Sequence, residues 1–277
     1  MSYDLFFEAA SGKKIDRKSF AAYFKARANY KMGKGQALYE NEDTGAYFIF
    51  DEPEDGVVVF NLNYFRPHVF ALEAAVELQK FDEAFGLTVF DEQSDDEEEG
   101  RFSRERFLRG WNEGNRLAYR SMLKEQTEPV HTWPAQRIRR VWEWNYARRT
   151  EQQRVGENVF VPAIFAVELG GRAAGVVVWP PACSILMPEV DAVLVPCEQE
   201  GKASNEMALV KWEEVQPIVR SYQEKGAGLP RYRLEFEEWP PDVAAFLEKK
   251  RRPTGQMKGI GMDELLDREL VEQATRR

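Results

Sequence analysis

Residues 38–86 constrain the fold more than any other stretch of this chain. They contain three β-rich runs, residues 38–40, 46–50 and 57–63, separated by two turn-forming segments. Asn, Asp and Gly in those segments favour the backbone conformations that tight turns need. Pro67 stops the third run, and an amphipathic helix follows in which apolar side chains recur at helical spacing up to Gly86. This order predicts three strands followed by a covering helix.

The rest of the first half extends this pattern. Residues 3–7 and 87–90 predict strands, and Asp16 is placed to cap a helix between them. Gly110 and Gly114 interrupt a later apolar helix, where glycine lowers helix stability and indicates close packing against a neighbour. The order of elements predicts an α+β fold in which helices cover one face of a mostly antiparallel sheet.

The second half also mixes strands and helices. Gly170-Gly171 separates two apolar runs, which is typical of a β-hairpin with a two-residue loop. Apolar spacing predicts helices over residues 135–153 and 207–222. A Gly-rich link leads to a last predicted helix, whose apolar positions are Leu266, Leu270 and Ala274.

Two prolines, Pro129 and Pro134, mark a predicted linker between the halves. We therefore predict an N-terminal α+β domain, a C-terminal α+β domain, and a linker with a terminal helix, at residues 1–128, 129–252 and 253–277.

Composition favours a well-packed cytoplasmic protein. Apolar residues make up 43% of the 277 residues, enough for packed cores. The net charge of −9 opposes binding to nucleic acid or to an anionic membrane, and no stretch reaches the roughly 20 apolar residues of a membrane span. The N-terminal residues lack the pattern of a secretory signal, and Cys183 and Cys197 are expected to be reduced core residues.

Familiar catalytic motifs are missing from the sequence. It contains no phosphate-binding P-loop, no dinucleotide-binding glycine pattern and no nucleophile elbow. The only histidines are His68, for which a structural hydrogen bond is expected, and His131, which is expected to pack or lie at the surface. We therefore predict no catalytic residue, metal site or cofactor.

The strongest charge feature is residues 91–99, hereafter the acidic segment, with seven carboxylates in nine positions. Such a segment is usually a solvated loop. It lacks the residue order of a helix-loop-helix calcium site. As a functional alternative, we expect it to contact a partner protein with a basic surface through its carboxylates, which are Asp91, Glu92, Asp95, Asp96, Glu97, Glu98 and Glu99.

Two further patterns carry alternative functions. Asp191, Glu200 and Lys202 resemble the carboxylate and lysine core of metal-dependent nucleases, although a loop composition surrounds them. An arginine–tryptophan stripe predicted on the outward face of the 135–153 helix is a candidate site for phosphate or single-stranded nucleic acid, and its members are Arg137, Arg140, Trp144 and Arg148. The acidity of the whole chain favours a structural role for this stripe. A third interpretation is that Trp144 packs at the contact between the two halves.

The opening Met1-Ser2-Tyr3-Asp4-Leu5, followed by compact acidic α+β sequence, resembles several bacterial families. Some of these are similar to immunity proteins encoded beside secreted toxins. The resemblance implies a protein that binds and occludes a toxin, and it assigns no functional residue. We therefore predict a non-enzymatic protein-binding protein, with a nuclease-like hydrolase and a phosphate- or nucleic-acid-binding module as alternatives.

Overall fold

A computed structural model describes residues 1–10, 14–93, 100–180, 183–199, 202–225, 228–235, 240–250 and 257–276, with backbone alone for 198–199 and 202–205. The chain divides into two compact units. Unit 1 comprises Met1–Ala135 together with Asp263–Arg277, and unit 2 comprises Gln136–Met262. Whether each predicted domain folds independently stays a prediction.

Helices and strands are interspersed along the whole chain. Its helices are α1 (Arg17–Lys25), α2 (Val69–Phe85), α3 (Arg104–Glu125), α4 (Ala135–Val155), α5 (Trp212–Val219), α6 (Pro241–Lys250) and α7 (Arg268–Thr275), with a 3₁₀ turn at Arg220–Tyr222. Its strands are β1 (Ser2–Ala9), β2 (Tyr30–Gly33), β3 (Gln36–Glu40), β4 (Tyr47–Asp51), β5 (Val58–Asn63), β6 (Leu87–Phe90), β7 (His131–Trp133), β8 (Val159–Phe160), β9 (Phe165–Leu169), β10 (Arg172–Val178), β11 (Ser184–Pro188), β12 (Ala192–Gln199), β13 (Lys202–Lys211), β14 (Gln223–Glu224), β15 (Arg231–Leu234), β16 (Lys258–Ile260) and β17 (Leu265–Asp267).

Unit 1 is built on a six-stranded antiparallel sheet with the order β2-β3-β4-β5-β1-β6. Helices cover one face of it: Phe24 of α1 and Phe81 of α2 pack on Phe50, and Phe107 of α3 packs on Phe60, with ring centroids 4.9, 5.1 and 6.0 Å apart. Because strand side chains alternate between faces, Tyr3, Leu5 and Phe7 of β1 are buried and the residues between them are not. Unit 1 also contains the short parallel pair β7–β17.

Local sequence patterns correctly predicted several helix ends in unit 1. Asp16 caps α1 by accepting a hydrogen bond from the N–H of Ser19 (2.7 Å). Gly86 ends α2 in the left-handed region, with φ of 62°. Strand β2 was not predicted from the sequence.

Unit 2 contains a five-stranded sheet, β13-β12-β10-β9-β16, and a four-stranded sheet, β14-β15-β11-β8. The predicted hairpin is confirmed: β9 and β10 pair antiparallel across Gly170-Gly171, and both glycines have positive φ. Two pairs in this unit are parallel, β10 with β12 and β8 with β11. The α+β prediction with mostly antiparallel sheets is confirmed in both units.

Two predicted helices are present but begin later than predicted: the helix predicted over residues 207–222 begins at Trp212, and the last helix begins at Arg268. Residues 207–211 belong to β13, where Ala208 and Val210 are buried and Leu209 is half-buried. Burial therefore alternates with a period of two, as expected for a strand that pairs with β12. Leu266 lies in β17, so the last helix begins only at Arg268. Among the described residues, no helix has both the length and the apolar character needed to cross a membrane.

Candidate functional site

The start of β1 and the ends of β5 and β6 meet at one edge of the unit 1 sheet. β1 is antiparallel to both strands, and the N–H of Tyr64, just after β5, donates to the carbonyl of Met1 (3.1 Å). Tyr3, Tyr64 and Asp91 therefore lie at the same edge. Helix α3 packs there, with the rings of Tyr3 and Phe107 5.7 Å apart.

Gly110 and Gly114 allow α3 to approach the two tyrosines. A Cβ atom at Gly110 would lie 2.5 Å from the hydroxyl oxygen of Tyr3, and one at Gly114 would lie 2.1 Å from that of Tyr64. Both separations are far below van der Waals contact, so a larger residue would displace the rings. The close packing predicted from these two glycines is confirmed.

The polar groups at this edge bond mainly to one another. The hydroxyl of Tyr3 donates to Asp91 Oδ2, and the backbone N–H of Gln93 donates to Asp91 Oδ1 (3.0 Å). The hydroxyl of Tyr64 donates to Gln93 Oε1 (3.2 Å), while Gln93 Nε2 donates to the carbonyl of Ser2 (3.2 Å). Both oxygens of the Asp91 carboxylate are thus engaged within the chain.

The two phenols are held in their protonated form. Burial, followed by the hydrogen bond to Asp91, raises the pKa of Tyr3 far above its ordinary value. Burial, followed by the negative charges of Asp91 and Asp4, raises the pKa of Tyr64 to about 12. At neutral pH both hydroxyls therefore act as hydrogen-bond donors and not as bases.

These residues border a cavity of about 840 Å³, hereafter the α3 pocket. Its size lies in the range of natural ligand pockets, about 300–1,000 Å³. Met1 and Leu117 border it with 74% and 63% of their surfaces exposed. Its remaining lining is mixed: apolar groups include Leu5, Val89, Phe102 and Phe107, and charged groups are Asp91, Glu113, Arg101, Arg106 and Arg109.

The acidic segment begins at this pocket. Asp91 lines the cavity, and Glu92 follows it as an exposed residue. The other predicted partner-binding residues lie outside the described residues, and these are Asp95, Asp96, Glu97, Glu98 and Glu99. The negative charge of this region was evident from the sequence, but no sequence signal indicated that Asp91 lines a cavity.

The predicted arginine–tryptophan stripe of unit 2 does not present its tryptophan outward. Trp144 is buried, and its indole N–H donates to the carbonyl of Pro162 (2.8 Å), so its ring is not available to stack on a base. Arg137 pairs with Asp191, and Arg148 donates to the carbonyl of Val161 (3.4 Å). Arg140 is exposed. The predicted outward orientation of Trp144 was wrong because it belongs to the apolar stripe of α4.

The nuclease-like residues are not assembled into a metal site where the structure describes them. Asp191 accepts hydrogen bonds from the N–H of Gly175 (2.6 Å) and from Arg137, which gives it a structural role. Glu200 lies outside the described residues, and Lys202 starts β13. In the described parts of the chain, no three His, Cys, Asp or Glu side chains are grouped as metal ligands.

A second polar cluster in unit 1 involves His68. Its Nδ1 bonds Oδ1 of Asp267 (2.6 Å), and its backbone N–H donates to Oδ2 (2.7 Å). The backbone just before it is unusual, since Phe65 has φ of 60° and is held by hydrogen bonding to the buried Asn115 (2.7 Å). The expected hydrogen bond of His68 is present, but Asp267 could not be identified as its partner from the sequence.

No protein-family model, no curated protein and no solved structure was found to match the chain.

Proposed function

We propose that this chain acts by binding another protein, and that the α3 pocket and the acidic segment form the contact surface. One observation carries the proposal: Asp91 both lines the pocket and begins a segment of seven carboxylates. An open cavity with exposed apolar residues at its border is typical of an interaction site. The dense negative charge of the segment that begins at Asp91 favours a partner with a basic surface.

The partner class we propose is a toxin that the chain neutralises by occlusion, as an immunity protein does. The resemblance of the N-terminal residues to families of that kind supports this class, and the acidic composition suits a basic target. We place the interaction in the cytoplasm, where the free thiols of Cys183 and Cys197 would stay reduced.

The acidic segment is expected to act mainly on the rate of association. Charges near an interface accelerate diffusional encounter, whereas buried packing controls how slowly a complex dissociates. Neutralising five carboxylates should therefore slow association at low salt by about tenfold or more, and the difference should shrink at high salt.

The test is capture of a partner from the source cells, followed by kinetics with that purified protein. The variant carries amides at Asp95, Asp96, Glu97, Glu98 and Glu99. A control variant removes five exposed charges elsewhere in unit 1, at Glu8, Glu42, Glu54, Asp55 and Glu83. Slower association in the first variant alone, together with loss of the partner's activity on binding, supports the proposal. Equal association rates in both variants, or a partner that stays fully active, contradict it.

A further inference from the structure

We infer that one face of the five-stranded sheet of unit 2 is the surface through which two copies of this chain associate. This inference goes beyond the proposed function, whose contact surface lies in unit 1. The face, hereafter the unit 2 apolar face, comprises every second residue of 165–169 in β9, 174–178 in β10, 192–196 in β12 and 207–209 in β13. All of these residues are apolar.

The pairing of the strands places these residues side by side. Val176 lies opposite Phe165 of β9 and opposite Ala192 of β12, while Leu194 lies opposite Leu209 of β13. Directly opposed residues of neighbouring strands project to the same side of a sheet. The four sets of residues therefore form one continuous surface.

The opposite side of the same strands belongs to the core of unit 2. Its residues Val177, Val193, Val195, Ala208 and Val210 are at most 1% exposed. An antiparallel sheet with one face in water normally alternates apolar and polar residues along each strand, whereas here both sides are apolar. The composition is therefore that of a sheet with both faces covered.

The described residues that pack on the centre of the unit 2 apolar face come from the sheet itself. The buried centre is Val167, Ala174, Val176, Ala192 and Leu194, and the partly buried hydrophobic residues packed against it are Leu169, Val178, Leu209 and Met257. Met257 directly precedes β16, and the other three belong to β9, β10 and β13. No helix contributes to this described cluster, and Phe165 at its margin is 51% exposed. An extended apolar surface that reaches solvent marks a site of association.

The size of the sheet is sufficient for a dimer. Five strands about 4.8 Å apart, with about six residues per strand at roughly 3.3 Å each, give one face an area on the order of 500 Å². Two such faces in contact bury on the order of 1,000 Å², which is about the smallest area at which specific association is expected. We therefore expect a dimer with a dissociation constant in the micromolar range.

The composition of the face favours a second copy over a different protein. Homodimer interfaces are more apolar than the rest of a protein surface, whereas contacts between separately stable proteins are about as polar as that surface. Two apolar faces in contact leave no charged group buried without a partner. The charged residues that continue the same alternation, Arg172 and Lys211, lie at an end of β10 and of β13 and are exposed. Both are cationic, so the margin does not suit the basic partner proposed for unit 1.

The first test is sedimentation velocity of the full chain at concentrations between about 1 and 200 μM, a range that brackets micromolar association. We expect the mass to rise from that of one chain to that of two. Because apolar contact is not screened by salt, about 0.5 M NaCl should leave the association unchanged or strengthen it. A protein that stays monomeric throughout, or a dimer that dissociates in salt, overturns the inference.

A pair of variants assigns the dimer to this face. Phe165→Ser should raise the dissociation constant by about tenfold or more, because symmetry removes the exposed ring from both copies. Tyr146→Ser is the matched control, since Tyr146 is a 37% exposed aromatic residue of unit 2 that lies on α4 and not on the face. Thermal melting followed by circular dichroism checks that both variants are folded. Equal weakening by the two variants contradicts the assignment.

Methyl NMR of the unaltered protein locates the contact without any substitution. The methyl resonances of Leu169, Val178, Leu194 and Leu209 should shift with protein concentration along the same binding curve that sedimentation gives. Methyl groups on the core side, such as those of Val177 and Val193, should shift less because they are fully buried within one copy. Dimerisation that leaves the resonances of the face unchanged would place the contact elsewhere and overturn the inference.

Discussion

Asp267 binds His68 with both carboxylate oxygens, although 199 residues separate the two in the chain. Because a carboxylate can only accept, Nδ1 of His68 carries the shared proton. The backbone N–H of Asp267 donates to the hydroxyl of Tyr119 (3.3 Å), which itself donates to the carbonyl of Arg66 (3.2 Å). The segment containing β17 and α7 is thereby fastened to the turn that precedes α2.

Replacing Asp267 should destabilise unit 1. In Asp267→Ala, the backbone N–H and the Nδ1 atom of His68 both lose their partner, so we expect a loss of about 2 kcal/mol in unfolding free energy. Urea unfolding followed by circular dichroism measures it. The control Glu272→Gln removes an exposed carboxylate on α7 that pairs with Arg276 at 3.7 Å, and should change stability by less than about 0.5 kcal/mol. Similar losses in both variants would show that the His68 contact contributes little.

Substitution of Gly110 should reverse the usual effect of alanine in a helix. Helix propensity alone predicts a gain of up to about 1 kcal/mol for Gly110→Ala. The new Cβ would lie 2.5 Å from the Tyr3 hydroxyl, so we expect a net loss of about 1–3 kcal/mol instead. A double-mutant cycle tests the cause: in a Tyr3→Phe background, which removes that oxygen, the loss should become smaller. An unchanged loss would assign the effect to another contact.

Alkaline pH should unfold the protein through its buried tyrosines. Burial is the main cause that raises the pKa values of Tyr3, Tyr30, Tyr39 and Tyr119 above the ordinary 10.0. The folded state keeps these protons at a pH where the unfolded state releases them, so stability is full below about pH 10 and falls as pH rises further. The tyrosinate absorbance contributed by these four residues should therefore appear together with loss of the circular dichroism signal. Ionisation of all tyrosines while the fold persists would contradict this.

Trp144 is expected to support unit 2 rather than bind phosphate. Trp144→Phe leaves the carbonyl of Pro162 without its indole donor, so unfolding free energy should fall by about 2 kcal/mol. Arg140→Gln, at an exposed position of the same helix, should change it by less than about 0.5 kcal/mol. Binding of a single-stranded oligonucleotide should be equally weak in both variants. A Trp144→Phe protein of unchanged stability but reduced oligonucleotide affinity would restore the stripe as a binding site.

Features set by neighbouring residues were predictable from the sequence. The cap at Asp16, the left-handed Gly86 and the loop at Gly170-Gly171 each depend on a few adjacent positions. Gly110 and Gly114 also indicated close packing, because glycine lowers the stability of a helix and is usually found inside one where a neighbour packs closely. They could not reveal that Tyr3 and Tyr64 are the neighbours.

Features set by distant partners were not predictable. Residues 207–211 carry apolar side chains compatible with a helix or a strand, and pairing with β12 selects the strand. Trp144 was placed on the wrong face of α4 because the sequence does not show which side packs on residues such as Pro162. The α3 pocket combines β1, β5, β6 and α3, so its existence depends on sheet order, which single-sequence patterns do not determine.

The insertion of unit 2 between two stretches of unit 1 has a consequence for biosynthesis. Ala135 donates its N–H to the carboxylate of Glu269, which the ribosome adds 134 residues later. At about 5–20 residues per second, translation leaves the nascent unit 1 incomplete for on the order of 10 s. Throughout that interval β7 lacks its partner β17, and His68 lacks Asp267. Unit 2, which is continuous in sequence, is synthesised within the same interval, so the first unit to begin synthesis is the last one to be completed.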